Sequence, residues 1–136
     1  MIYQEYFNIP YEDLGRDMLG CDCYGLVYIL MKAELGKRIP ILSGYDSAND
    51  MSLSRYIEVS SAQVDSWLVV DKPRKGDVAV FRHNGLLQHV AFMLDDTNFI
   101  EMTRDKGVQV SQITRSNIRY NLAYFCRYIG VEDGKS

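Results

Sequence analysis

Along the chain the apolar positions change rhythm, and the change divides it into two halves. The first twenty residues mix aromatic and polar positions around Pro10, Gly15 and Gly20, and predict a short helix or an irregular arm. After Gly25 the apolar positions recur at helical spacing, at Leu26, Val27, Ile29, Leu30 and Ala33. The run stops at Gly36, with Lys37, Arg38 and Pro40 behind it, a normal helix ending. These signals predict a helix from about Cys23 to Leu35. Residues 41–52, with Ser43, Gly44, Asp46, Ser47, Asn49 and Asp50, read as a loop. Leu53 to about Ser66 fits a second helix, although Tyr56-Ile57-Glu58-Val59 has the look of a strand.

Lys72-Pro73-Arg74-Lys75-Gly76-Asp77 is a turn, and beyond it the period becomes two. Val78–Phe81, Val90–Leu94, Phe99–Met102 and Val108–Val110 predict four strands. Asp95–Asn98 and Arg104–Gly107 are turns between them, and Gly85–Gln88 reads as a loop. Residues 114–121 are polar and suit one helical turn. Leu122 to Ile129 is a last strand, and the charged tail from Gly130 reads as frayed. Helices followed by an antiparallel meander make an α+β class. At 136 residues the chain suits a single domain, 1–136, with no internal repeat or linker.

Composition narrows the function. A net charge of −3 and a pI near 5.3 leave no basic footprint for nucleic acid. Three cysteines, an odd number, argue against a disulfide framework. No apolar run approaches the ~18 residues of a membrane span. Met1–Tyr6 lacks the basic start and apolar core of a signal peptide, so synthesis in a cytosol is expected, with any outward route supplied by other means.

The chemistry gathers around Gly20-Cys21-Asp22-Cys23-Tyr24-Gly25-Leu26-Val27. Asp22 is a good N-cap, because its carboxylate can accept backbone N–H bonds from the first turn. Cys23 would then lie at the positive end of the helix dipole, a place that favours a thiolate. A cysteine taken without context is usually core. The context here is histidine. His83 precedes Asn84-Gly85 and reads as a solvated turn residue, whereas His89 opens a strand from which it can face a groove. A thiol at a helix start with a strand histidine is a nucleophile–base arrangement. Glu101, a charge among Phe99, Ile100 and Met102, is the candidate third group to accept from the imidazole. Asn98 and Thr103 are weaker candidates. Cys21, Cys23, His83 and His89 are also four zinc-type ligands, but structural zinc sites favour wider cysteine spacing.

These motifs, taken in order, resemble the NlpC-type cell-wall cysteine peptidases, and especially their phage tail branch. The likeness runs from Ile9-Pro10-Tyr11 to Tyr128. It passes through Gly15-Arg16-Asp17, Asp22–Val27, Gly36–Pro40, Gly76–Arg82, His89–Leu94, Phe99–Met102 and Gly107-Val108. Ala123–Tyr128 is similar to the Tyr-Tyr-Arg ending of the tail proteins. The resemblance implies a papain-like α+β core with the nucleophile on a helix packed against an antiparallel sheet. It implies Cys23 as nucleophile, His89 as base, and Tyr11, twelve residues before Cys23, as the tyrosine lining the site. Tyr11, Asp22 and Tyr24 become candidates for holding substrate or the oxyanion. Glu101 stands where the family usually has histidine, asparagine or glutamine, and Tyr24 where it has serine or tryptophan.

The expected activity is hydrolysis of a peptidoglycan stem-peptide amide, at the γ-D-glutamyl–diamino acid bond, without a cofactor. The expected setting is a virion tail, with other tail-tip proteins as partners and neither nucleic acid nor membrane engaged. The rival is a tail-tip assembly protein that keeps the fold without the chemistry.

Overall fold

A computed structural model describes residues 3–40, 67–83, 86–115 and 121–130. The expected loop at 41–52, the expected helix at 53–66 and the tail beyond Gly130 lie outside the described residues, as does the side chain of His83. The N-terminal arm holds one 3₁₀ turn, Gln4–Tyr6, and a two-stranded ribbon of β1 (Arg16–Asp17) and β2 (Gly20–Cys21). Then comes α1 (Cys23–Leu35). The sheet follows, made of β3 (Trp67–Val70), β4 (Val78–His83), β5 (Leu86–Met93), β6 (Asn98–Thr103), β7 (Gly107–Gln112) and β8 (Leu122–Tyr128). Among the described residues α1 is the one α-helix packed on the sheet, and the second expected helix falls at 53–66, outside them.

Helix α1 starts and stops as its sequence dictates. The Asp22 side chain accepts from the Gly25 N–H, and Gly36 closes the helix in the left-handed conformation at φ 64°, its N–H donating to the Lys32 carbonyl. Leu26, Val27, Leu30 and Met31 are buried against one face of the sheet, with Val78, Val80, Val90, Phe92, Ile100 and Met102. Each such side chain contributes roughly 1.5–3 kcal/mol by leaving water. The alternate positions Ala79, Phe81, Ala91, Met93 and Phe99 form a second apolar cluster with Ile113.

The six strands run β3-β8-β4-β5-β6-β7, and each neighbouring pair is antiparallel. Strands β4 to β7 are the expected meander. Strand β8 departs from it by returning to the free edge of β4, and β3 adds outside β8. Strand β3 has no period-two signal, since Leu68 and Val69 are both exposed. It forms because its backbone pairs with β8, and Trp67 packs edge-on against Tyr128 at 5.1 Å. Strand β5 also begins earlier than its pattern suggests. Leu86 and Leu87 pair with His83 and Arg82 around a bulge, so most of the expected Gly85–Gln88 loop is ladder, and His89 sits inside a strand.

Two of the sequence motifs meet across this sheet. Asp77, almost fully buried, receives both forks of Arg127 from β8, Nε to Oδ1 and Nη2 to Oδ2, each at 2.8 Å. The Arg74 N–H also donates to its Oδ2. The Gly76-Asp77 turn and the arginine of the closing strand thus form one clamp, which ties β4 to β8.

Candidate active site

Cys23 is the first residue of α1, directly after its cap. The Asp22 carboxylate organises everything around it. Its Oδ1 accepts from the Gly25 N–H at 2.8 Å and from Arg16 Nη1 at 2.9 Å, and its Oδ2 accepts from the Leu14 N–H at 3.1 Å. Leu14 holds a left-handed backbone, φ 65°, which a non-glycine residue keeps only when its surroundings impose it. Asp22 is 0% exposed, so its side chain serves as cap and ion-pair partner. The cap is the role the sequence predicts for it.

The ribbon lies directly on the first turn of α1, and glycine makes this possible. A Cβ on Gly25 would come within 2.0 Å of the Gly15 carbonyl oxygen. The same ribbon carries Tyr11 to the site. The Cys21 N–H donates to the Pro10 carbonyl, the Glu12 N–H to the Cys21 carbonyl, and Tyr11 bridges to Cys21.

His89 comes from β5 and Glu101 from β6. Their strands pair at Phe92–Ile100 and Met93–Phe99. Nearer the helix start the link between them is a side-chain bond, His89 Nε2 to Glu101 Oε1 at 2.7 Å. The imidazole also packs against Phe81, ring centroids 5.6 Å apart. With Nε2 committed to the carboxylate, Nδ1 is the ring nitrogen left for another partner. Burial alone would lower the His89 pKa. The hydrogen bonds and charges of Cys23 and Glu101 outweigh burial and raise it to about 10. Burial likewise works to raise the Glu101 pKa, yet the bonds from His89 and Gln109 bring it below its usual value. Cys23, His89 and Glu101 therefore stand as a connected chain of thiol, imidazole and carboxylate.

The other cysteines are different. Burial pushes the Cys21 and Cys126 thiols up to about 12, so both are protonated at neutral pH. The zinc set weighed from the sequence includes His83, whose side chain is outside the described residues. Among the described residues no three His, Cys, Asp or Glu side chains converge as metal ligands.

Tyr24 is buried, its hydroxyl donating to the Pro40 carbonyl and its ring lying 5.2 Å from the Arg16 guanidinium. It braces α1 against the chain beyond it. Tyr11 is half-buried, and its hydroxyl donates to Asp13 Oδ1 at 2.9 Å. Burial first, then this bond, raises its pKa. A hydroxyl has one proton to give, so Tyr11 reaches an oxyanion only by leaving Asp13. Arg104 joins the group from the β6–β7 turn. It donates to Asp13 Oδ1 at 2.9 Å, and its guanidinium lies 4.6 Å from the centre of the Tyr11 ring.

The sequence pointed to Cys23, His89 and Glu101 but not to Arg16 as the partner of Asp22, the Asp13–Arg104 pair around Tyr11, or Gln109, which donates to Glu101 Oε2 at 2.7 Å. Gln109 had a legible signal. The turn at Arg104–Gly107 places it directly across from Glu101 in a hairpin.

Residues 8–127 match the NlpC/P60 family. Among solved structures, an NlpC/P60 family protein from Bacillus cereus is 26% identical with a TM-score of 0.65, the match covering 92% of this chain and 37% of that one. The NlpC/p60 domain of the peptidoglycan hydrolase SagA is 19% identical with a TM-score of 0.59, covering 90% and 89%. An NLP/P60 family lipoprotein-like protein from Staphylococcus aureus is 21% identical with a TM-score of 0.63, covering 96% and 41%. The chain thus spans well under half of the Bacillus and Staphylococcus proteins and most of the SagA domain. The likeness to the last two shows the shared papain-like α+β fold, one helix on a six-stranded antiparallel sheet. No curated protein matches the chain.

Proposed function

The chain belongs to the NlpC/P60 family, and on that premise we propose that it is a cysteine peptidase that hydrolyses amide bonds in peptidoglycan stem peptides. The observation that carries this reading is Cys23 at the start of α1, acting on His89 so as to raise the imidazole pKa, with the His89 Nε2 bonded to Glu101 at 2.7 Å. The Cys23 thiolate attacks the amide carbonyl, and the oxyanion that forms takes the Cys23 backbone N–H at the helix start. The His89 imidazolium gives its proton to the leaving amine, and the C–N bond breaks to leave a thioester. His89 then takes a proton from water, the hydroxide adds to the thioester, and the acid leaves as the thiolate is restored. Glu101 holds the imidazole in one tautomer and favours its charged form.

The finer reading is a cut at the γ-D-glutamyl–diamino acid bond by a phage or prophage tail protein. It is supported by the order of the motifs and by the Ala123–Tyr128 ending. Purified protein should convert muropeptides into two stem fragments, read by mass spectrometry, and Cys23→Ala should abolish this. Parent protein that leaves every muropeptide intact would instead favour a tail-tip assembly role.

A further inference from the structure

Glu101 is unusual in being a carboxylate with two oxygens to satisfy in a buried place. One oxygen accepts from His89 Nε2 and the other from Gln109 Nε2, both at 2.7 Å. Glu101 is only 7% exposed, and Gln109 is its direct cross-strand partner on β7. A carboxylate on a two-carbon stem can turn, and a turned carboxylate would leave His89 without an acceptor. The Gln109 amide stops that turn, because rotation would strip Oε2 of its donor inside the sheet, where an unmade bond to a charged group is costly.

We propose that Gln109 is a positioning residue for the Cys23–His89 pair, acting through Glu101 as a fourth member of the hydrogen-bonded chain. This rests on the hydrolytic reading above and extends it. The amide suits the task because its N–H₂ donates without bringing charge. An anion at position 109 would repel Glu101 from directly across the ladder, and a cation would compete with His89 for it. The charged groups acting on the chain are Cys23 from α1 and Glu101 from β6 on His89, and Lys106 from the β6–β7 turn on Glu101. A Gln109 variant leaves all three in place.

Gln109→Leu removes the donor and keeps a strand-compatible side chain, and Gln109→Thr serves as a second variant should leucine disturb folding. Two measurements apply. The first follows the imidazole titration of His89 by NMR, with His89→Ala to assign it. In Gln109→Leu the Glu101 carboxylate is free to leave the imidazolium, so His89 should titrate at lower pH than in the parent. The second is muropeptide hydrolysis in a double-mutant cycle with Glu101→Ala. Gln109→Leu should lower kcat about tenfold with little change in KM in the parent, and by less than about twofold when Glu101 is already absent. An unmoved His89 titration would overturn the proposal, as would an equal loss of kcat in both backgrounds, which marks a merely structural part. Parent protein that shows the expected His89 shift between variants yet cleaves no muropeptide counts against the substrate reading alone.

Discussion

Asp22→Ala is the substitution whose cost can be worked most fully from the structure. It removes three bonds at once from a carboxylate with no solvent to replace it. Loss of the cap on α1 costs about 1 kcal/mol. Arg16, whose side chain is 13% exposed, keeps its bond to the Gly15 carbonyl but loses the Asp22 carboxylate. Breaking a buried pair from one side costs about 3–5 kcal/mol, and the remaining carbonyl bond argues for the low end. The total is about 4 kcal/mol. For a chain of this length each kcal/mol lowers Tm by roughly 3–4 °C, so thermal unfolding should move down by about 14 °C. The assay is calorimetry or far-UV melting at neutral pH. Adding a neutral partner, Arg16→Leu on Asp22→Ala, should recover part of the loss, because the guanidinium that had faced the carboxylate is then gone. The thiol should suffer as well, since the cap and the Leu14 backbone define where the helix begins. A melting point within about 3 °C of the parent, or a double variant worse than either single one, would refute the account.

Glu101→Gln keeps an acceptor for His89 but removes the charge, so the imidazole pKa should fall from about 10 toward its ordinary 6.5 and the alkaline limb of kcat/KM should move down with it. Glu101→Ala should shift the limb and lose the orientation too, and a limb that stays put in both variants would remove Glu101 from the chain of proton-holding groups. Gly25→Ala is diagnostic by its sign: glycine to alanine within a helix normally stabilises by about 0.8–1 kcal/mol, but here the new methyl group meets the Gly15 carbonyl. A loss of about 1–3 kcal/mol is expected, with slower iodoacetamide alkylation of Cys23 by mass spectrometry. A stabilised Gly25→Ala protein would show that the ribbon yields.

The helix that starts at Cys23 was legible because its instructions are local. Asp22 as cap, the 3.6-residue apolar spacing and Gly36 as stop each act within a few residues, and the structure places α1 from Cys23 to Leu35 accordingly. The central hairpins were legible for the same reason, since turn residues and alternation are short-range signals. Glu101 stood out in the sequence because a charge in an apolar strand needs a partner. Tertiary structure alone decided what distant segments do to one another. Strand β3 exists because β8 offers it a backbone edge, and β8 lies beside β4 partly because Arg127 finds Asp77 fifty positions away. Arg16 becomes the counter-charge of Asp22 only once the ribbon folds onto α1. Tyr11, read as facing the reaction, has its hydroxyl drawn to Asp13, which a sequence cannot signal because competition for a single proton depends on which acceptor the fold brings closest.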